Sequence, residues 1–244
     1  MKIINLASSS SGNCYYVQFD NSASLLLEAG LSLKEIKKKL LTYGKTLNDV
    51  DAVLITHNHK DHSKSALELS TKAFKEVYGN SYVANEKNTL EPLKPRYLTS
   101  KILVIPFLVE HDAESSFGYL ITAENERLLF VNDCKYFKAD LSDIPLDIVM
   151  IECNFKAEIV HTLYNQSKKQ NDYQLIKRYE RLLNAHLSER NCLKILKNLN
   201  LKQCKSIFLM HLSDAHSNEF EFKNLIEKEL SIQTFVCKKN GGFV

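Results

Sequence analysis

The sequence predicts an α/β protein in which two β-sheets pack face to face and helices cover their outer sides. Three observations point there. Strand-like apolar runs recur in both halves of the chain, apolar stripes at helical spacing lie between them, and no low-complexity linker, internal repeat or long charge block divides the 244 residues. Two stacked sheets with helices outside are the layered arrangement that buries such faces. The length fits one large domain or two small ones, and the lack of any such divider leaves residues 1–244 as one domain. Strand order is not legible from the runs.

The elements follow in order. Residues 2–6, 14–19 and 24–27 read as strands. A helix is expected at about 32–43, where Ser32 is a suitable N-cap and Leu33, Ile36, Leu40 and Leu41 form an apolar stripe. Residues 52–55 make a short buried strand, followed by a helix over about 64–78. Further strands are expected near 81–84, 102–105, 117–122 and 127–131, and 148–151 is apolar throughout, as an interior strand would be. Residues 172–183 and 188–199 read as helices around Asn184, Ala185, His186 and Leu187. A strand at 206–210, a helix from about 218 to 230 and a last strand near 232–236 complete the chain.

At 44% hydrophobic and 25% charged, the chain can bury a full core. Its net charge of +3 is compatible with a polyanionic substrate without specifying one. None of the six cysteines forms a Cys-x-x-Cys pair, so they read as reduced thiols rather than a disulfide framework. Residues 1–13 contain no apolar signal region, and no segment approaches the length of a membrane span. The expectation is a cytoplasmic protein without a membrane partner.

The chemistry is concentrated in His57-Asn58-His59-Lys60-Asp61-His62, directly after the apolar run Ala52-Val53-Leu54-Ile55. Four ligand-type side chains on the loop after a strand can reach a single point, and imidazoles with a carboxylate suit Zn²⁺, Mn²⁺ or Fe²⁺. The same device recurs: His111, Asp133 and His211 each follow an apolar run, at 102–110, 128–132 and 206–210. Such strand tips cluster along one edge of a sheet.

These motifs resemble the metallo-β-lactamase superfamily, and within it the YycJ/WalJ-like branch of predicted exonucleases. Residues 6–13 (Leu-Ala-Ser-Ser-Ser-Ser-Gly-Asn) are similar to that branch's N-terminal loop and residues 27–32 (Leu-Glu-Ala-Gly-Leu-Ser) to its strand-ending acidic motif. Residues 57–62, 109–113, 132–133, 151–154, 185–188 and 211–213 are similar to its later motifs. The resemblance implies a four-layer αββα sandwich and two divalent metal ions, Zn or Mn with Fe also possible. It implies that His57, His59 and His111 hold one metal, that Asp61, His62 and His211 hold the other, and that Asp133 bridges them. A hydroxide between the metals would be the nucleophile. Asp61 would also orient or deprotonate it, and His186 would face the scissile phosphate and donate a proton to the leaving oxygen. Three residues depart from the branch pattern: Glu28 in place of Asp, Ser9 in place of Gly and Ala185 in place of Gly. His161 and His216 match no motif.

A nucleic-acid substrate, DNA in preference to RNA, is favoured by the branch resemblance, by His186, and by Lys168, Lys169, Lys177, Arg178 and Arg181 just before it. Lys177 and Arg181 are four apart and share a helical face. Ser10, Asn154, Lys177, Arg181 and Ser188 are the candidate substrate contacts, and Tyr164, Tyr173 and Tyr179 are placed to stack on bases or to pack against helices. Only 77 residues separate Asp133 from His211, and 48 separate His62 from His111, too few for the clamp domain or protruding arm of larger processing relatives. A compact exonuclease is expected. Two alternatives stay open: a small-molecule hydrolase of thioesters, lactones or cyclic nucleotides, and a metal-stabilised scaffold.

Overall fold

The computed structural model describes residues 1–20 and 22–243. Strands β1 (Lys2–Ala7), β2 (Cys14–Gln18) and β3 (Ser24–Leu27) form an antiparallel meander. Helix α1 (Leu33–Thr42) then crosses over to β4 (Ala52–Leu54), which pairs parallel to β3 with Leu26 opposite Val53. A capping box starts α1: Ser32 accepts from the Glu35 N–H, and the Glu35 carboxylate accepts from the Ser32 N–H. Short helices α2 (Lys60–Ser63) and α3 (Ala66–Thr71) lead to β5 (Val77–Tyr78).

The second half begins with β6 (Arg96–Thr99), β7 (Ile102–Glu110), β8 (Phe117–Ala123), β9 (Glu126–Val131), β10 (Tyr136–Phe137) and β11 (Ile148–Glu152). Helices α4 (Ala157–Lys169), α5 (Tyr173–Ala185) and α6 (Glu189–Lys197) follow, then β12 (Ser206–Met210), α7 (Glu219–Leu230), β13 (Thr234–Val236) and β14 (Gly242–Phe243). The first sheet runs β14-β1-β2-β3-β4-β5. The second runs β10-β7-β8-β9-β11-β12-β13, with β6 also on β7.

Side-chain alternation sorts the core into layers. Leu25, Leu27 and Leu54 of the first sheet meet Val104, Tyr119, Phe130, Met150 and Phe208 of the second in one inter-sheet cluster. The intervening Leu26 and Val53 face outward onto Leu33, Ile36 and Leu40 of α1. On the far side, Leu129, Val149, Ile151 and Leu209 pack on Cys192 and Leu196 of α6 and on Phe222 and Ile226 of α7. The result is helix, sheet, sheet, helix, as expected. Each such fully buried Leu, Ile or Phe contributes about 1.5–3 kcal/mol by leaving water.

Several elements differ from the sequence reading. The helix expected over 64–78 breaks: α3 ends at Thr71, Phe74 takes a left-handed φ of 52°, and Val77–Tyr78 joins the sheet beside Val53–Leu54. The β-branched and aromatic pair at 77–78 gains ladder bonds that a continued helix would forfeit. The strand expected at 81–84 is a turn, its place at the sheet edge taken by β5. Helix α4 was not anticipated. Its stripe, Val160, Leu163 and Tyr164, packs against α5 and Phe155, so its apolar periodicity is narrow. The small edge strands β6, β10 and β14 are likewise too short to carry a pattern.

Parallel pairing sets the level of the strand ends. Ile151 of β11 lies opposite both Val131 of β9 and Leu209 of β12, so the residues leaving all three strands emerge side by side. Their neighbours across the sandwich are the ends of β3 and β4.

Candidate metal centre

Asp133 and His211 follow the ends of β9 and β12, and both take left-handed backbone conformations, with φ of 47° and 53°. Glu28, after β3, does the same at 63°. Three strained, buried tips at one edge turn their side chains inward. The loop after β4 supplies His57 and His59, and α2 supplies Asp61 and His62. Gly30 lets this loop close down: a Cβ there would lie 1.7 Å from the Asp61 carbonyl oxygen. The Asn13 N–H also donates to that oxygen, at 2.8 Å.

All seven side chains expected to hold metal converge. The ligand atoms of His57, His59, His111 and Asp133 lie within 4.8 Å of one another, as do those of Asp61, His62, Asp133 and His211. Asp133 belongs to both groups. Its Oδ2 is 3.2 Å from His62 Nε2, 3.5 Å from His111 Nε2 and 4.0 Å from His57 Nε2. His62 Nε2 is 3.3 Å from Asp61 Oδ2, and His59 Nδ1 is 3.3 Å from His111 Nε2. Ligands at 2.0–2.2 Å around a tetrahedral ion stand roughly 3.3–3.6 Å apart, so the spacing fits. The orphaned atoms agree: His57 Nε2 and His211 Nε2 are buried with no hydrogen-bond partner among the described residues, while His211 Nδ1 meets the Asp133 and Glu152 carboxylates. A donor set of imidazoles and carboxylates suits Zn²⁺, Mn²⁺ or Fe²⁺.

Outer partners orient these rings. Thr56 Oγ1 donates to Glu28 Oε1 at 2.6 Å and lies 2.9 Å from His57 Nδ1. The hydroxyl proton being spent on Glu28, His57 Nδ1–H donates to the Thr56 oxygen, which leaves Nε2 as the free ligand atom. His111 Nδ1 donates to the Ala185 carbonyl at 2.8 Å, with the same consequence. The three departures from the branch pattern are absorbed. Glu28 still brings Oε1 to 3.2 Å from His62 Nδ1, Ser9 and Ala185 do not occupy the left-handed region, and Ala185 acts through its backbone.

Charge follows from proximity. Burial pushes His57 well below its ordinary value, aided by His62. Burial acts the same way on His62 and His211, but Asp133 outweighs it: His62 rises well above its usual range and His211 to about 10. Burial alone would raise Asp133, yet His211 and His62 hold it well below the carboxylate range.

One residue absent from the sequence-level candidates belongs here. Glu152, fully buried after the apolar run 148–151, accepts from His186 Nδ1 at 2.6 Å, from the Cys134 N–H at 2.9 Å and from the Leu187 N–H at 3.1 Å. Glu152, His186, Asp133 and His211 form a third convergent group. The signal was available, since Glu152 is a ligand-type residue at a strand tip like Asp133 and His211. Burial lowers His186, and the Glu152 charge more than offsets it, so the imidazole sits above its ordinary value.

A cleft of about 420 Å³ opens over the centre. Ser10, His59, Asp61, Asp133, Asn154, Arg178, Arg181, His186, His211 and His216 are among the residues that line it. Ser10 and Arg181 thus lie where substrate contacts were expected. Asn154 does as well, although its Nδ2 donates to the His211 carbonyl at 2.7 Å and so braces that tip. Lys177 and Ser188 do not line the cleft. The phase of α5 turns Arg178, Arg181 and Leu182 inward instead, while Ser188 is buried and caps α6 by accepting from the Asn191 N–H. Of the tyrosines, Tyr179 is buried against His216, Tyr164 donates to Glu180, and Tyr173 is exposed. His161 is exposed on α4, and His216 joins none of the three ligand groups.

Fold and centre together define an α/β metallohydrolase. The chain belongs to the metallo-β-lactamase superfamily, whose profile matches residues 9–171. It is similar to exodeoxyribonuclease WalJ of Streptococcus pneumoniae, 29% identical over 235 residues that cover 87% of this chain and 81% of that protein. It is similar to exodeoxyribonuclease YycJ of Bacillus anthracis, 29% identical over 224 residues covering 85% and 81%. The crystal structure of the metallo-beta-lactamase fold protein YhfI from Bacillus subtilis shares the fold, with a TM-score of 0.70 and 16% identity over 99% of this chain and 98% of that one. Among the described residues no helix is long and apolar enough to cross a membrane.

Proposed function

We propose that this enzyme is a metal-dependent phosphodiesterase of nucleic acid, specifically an exodeoxyribonuclease. One observation carries the reading: a single cleft is lined by His59, Asp61, Asp133 and His211 of the ligand-type groups, by His186 backed by the buried Glu152, and by two arginines. The names of the two relatives that align over more than four-fifths of the chain supply DNA as the substrate. His57, His59 and His111 would hold one divalent cation, Asp61, His62 and His211 a second, and Asp133 both. Such a pair, when bound, lowers the pKa of a water between the two ions and neutralises charge on the attacked phosphate.

The chain's own groups do the rest. Asp61, about a fifth exposed toward the cleft, orients and deprotonates the nucleophile. Glu152 holds His186 Nδ1 and turns Nε2 to the cleft, where the imidazole, held above its ordinary value by the Glu152 charge, is placed to give a proton to the leaving oxygen. Arg178 and Arg181 receive backbone phosphates. The six free thiols fit a reducing compartment, and we place the enzyme in the cytoplasm.

The test is incubation with Mn²⁺ or Zn²⁺ and end-labelled DNA, end-labelled RNA or bis-p-nitrophenyl phosphate. Progressive loss of DNA from its ends is expected. Hydrolysis of the small ester with both polymers intact would overturn the nuclease reading. It would favour a small-molecule hydrolase, which the cleft volume of about 420 Å³ also accommodates.

A further inference from the structure

Two groups in the cleft lie outside the ligand-type set: His216 has no part in the chemistry so far, and Arg178 only a general one as a phosphate contact. His216 is only 7% exposed, is braced by Ser213 Oγ at 3.2 Å from its Nδ1, and packs edge-on against Tyr179 at 5.7 Å. Arg178 lines the same cleft, and its guanidinium makes no hydrogen bond or ion pair among the described residues. The neighbouring charges are matched. Arg181, one turn along α5, is paired with Asp112, and Asp214 in the cleft wall is paired with Lys239. Burial, and then the charge of Arg178, push His216 below its ordinary value, so the imidazole is neutral at pH 7 and does not repel the guanidinium.

The unmatched guanidinium stands with free donors beside a hydrogen-bonded Ser213–His216 pair, and either tautomer of the neutral imidazole leaves one proton of that pair, on His216 Nε2 or on Ser213 Oγ, to donate into the cleft. Helix α5 sets its distance from the chemistry. Arg178 precedes His186 by eight residues, about 12 Å of helical rise, so it reaches a different part of the substrate from the atom His186 serves. We propose that Arg178, His216 and Ser213 form a phosphate subsite that receives a second, non-scissile phosphate of the substrate. This rests on the reading of the cleft as a phosphodiesterase site and names a specificity determinant within it. An isolated phosphomonoester fills the metal groups alone, whereas a ligand with two phosphates spans both.

The test is calorimetric titration of the Mn²⁺-loaded protein with thymidine 3′,5′-bisphosphate, thymidine 5′-monophosphate and thymidine 3′-monophosphate. The bisphosphate should bind at least about tenfold more tightly than either monophosphate, the gain of one charge-assisted contact. Arg178→Gln should erase that gain and Arg178→Lys should keep part of it. Lys194→Gln, on α6 away from the cleft, should leave it in place. Equal binding of all three ligands by the unmodified protein, or equal losses in Arg178→Gln and Lys194→Gln, would overturn the subsite. End-labelled DNA is assayed in parallel. Intact DNA together with a bisphosphate gain that Arg178→Gln removes would reject the nuclease reading and retain the subsite.

Discussion

Replacing Glu152 by Gln tests the reasoning about His186 at a single atom. The carboxylate is fully buried and accepts from His186 Nδ1, the Cys134 N–H and the Leu187 N–H at 2.6, 2.9 and 3.1 Å. Gln keeps the size, and its oxygen still serves the two backbone donors on Oε2. Its amide nitrogen then meets His186 Nδ1–H, donor against donor. The lost charge-assisted hydrogen bond is worth about 1.5–3 kcal/mol, or one to two pKa units on the imidazole. The sign is fixed by the two opposing causes: burial pulls His186 down, and Glu152 raises it above 6.5. Without Glu152 the proton is lost at lower pH, so the alkaline limb of kcat/KM should move down by about one to two pH units. Activity at pH 8 should fall about 10- to 100-fold, with a smaller loss near pH 6. The assay is hydrolysis of bis-p-nitrophenyl phosphate across that range, with metal content measured in parallel because Glu152 also lies 3.4 Å from His211 Nδ1. An unmoved alkaline limb at full metal content would refute the acid role of His186.

Three further outcomes are expected. Thr56→Val breaks the relay from His57 to Glu28, so Zn²⁺ affinity should drop about 10- to 100-fold in chelator competition, and an unchanged affinity would show that the relay does not orient His57. With His211 at about 10 and His62 well above its usual range, both imidazoles carry protons at pH 7 in the metal-free protein and must lose them to bind a cation. Affinity should therefore rise as pH rises toward about 10 and fall on acidification, with about two protons released at pH 7 in calorimetry across buffers of different ionisation enthalpy; zero release would count against these two residues as ligands. Gly30→Ala drives a Cβ into the Asp61 carbonyl, so thermal denaturation should show a loss of about 2–3 kcal/mol, some 4–12 °C, together with weaker metal binding; an unaltered melting temperature would mean that the loop does not depend on that close approach.

The sequence by itself determined the layers and the ligand-type side chains that converge at the strand tips. Alternation in Leu25-Leu26-Leu27 and Ala52-Val53-Leu54 already commits one face to each side of a sheet, because the side-chain period of a strand is fixed by its backbone. His57, His59, Asp61 and His62 were legible because they crowd one loop, and His111, Asp133 and His211 because each ends an apolar run. What only the tertiary structure decided depends on pairing between distant segments. The parallel register of β9, β11 and β12 puts Glu152 beside His186, from elements 34 residues apart. The phase of α5 faces Arg178 rather than Lys177 into the cleft, and a four-residue spacing on a helix cannot say which face a neighbouring loop will cover. Val77–Tyr78 became an edge strand because β4 offered unpaired backbone groups there, a partner that local propensity does not contain.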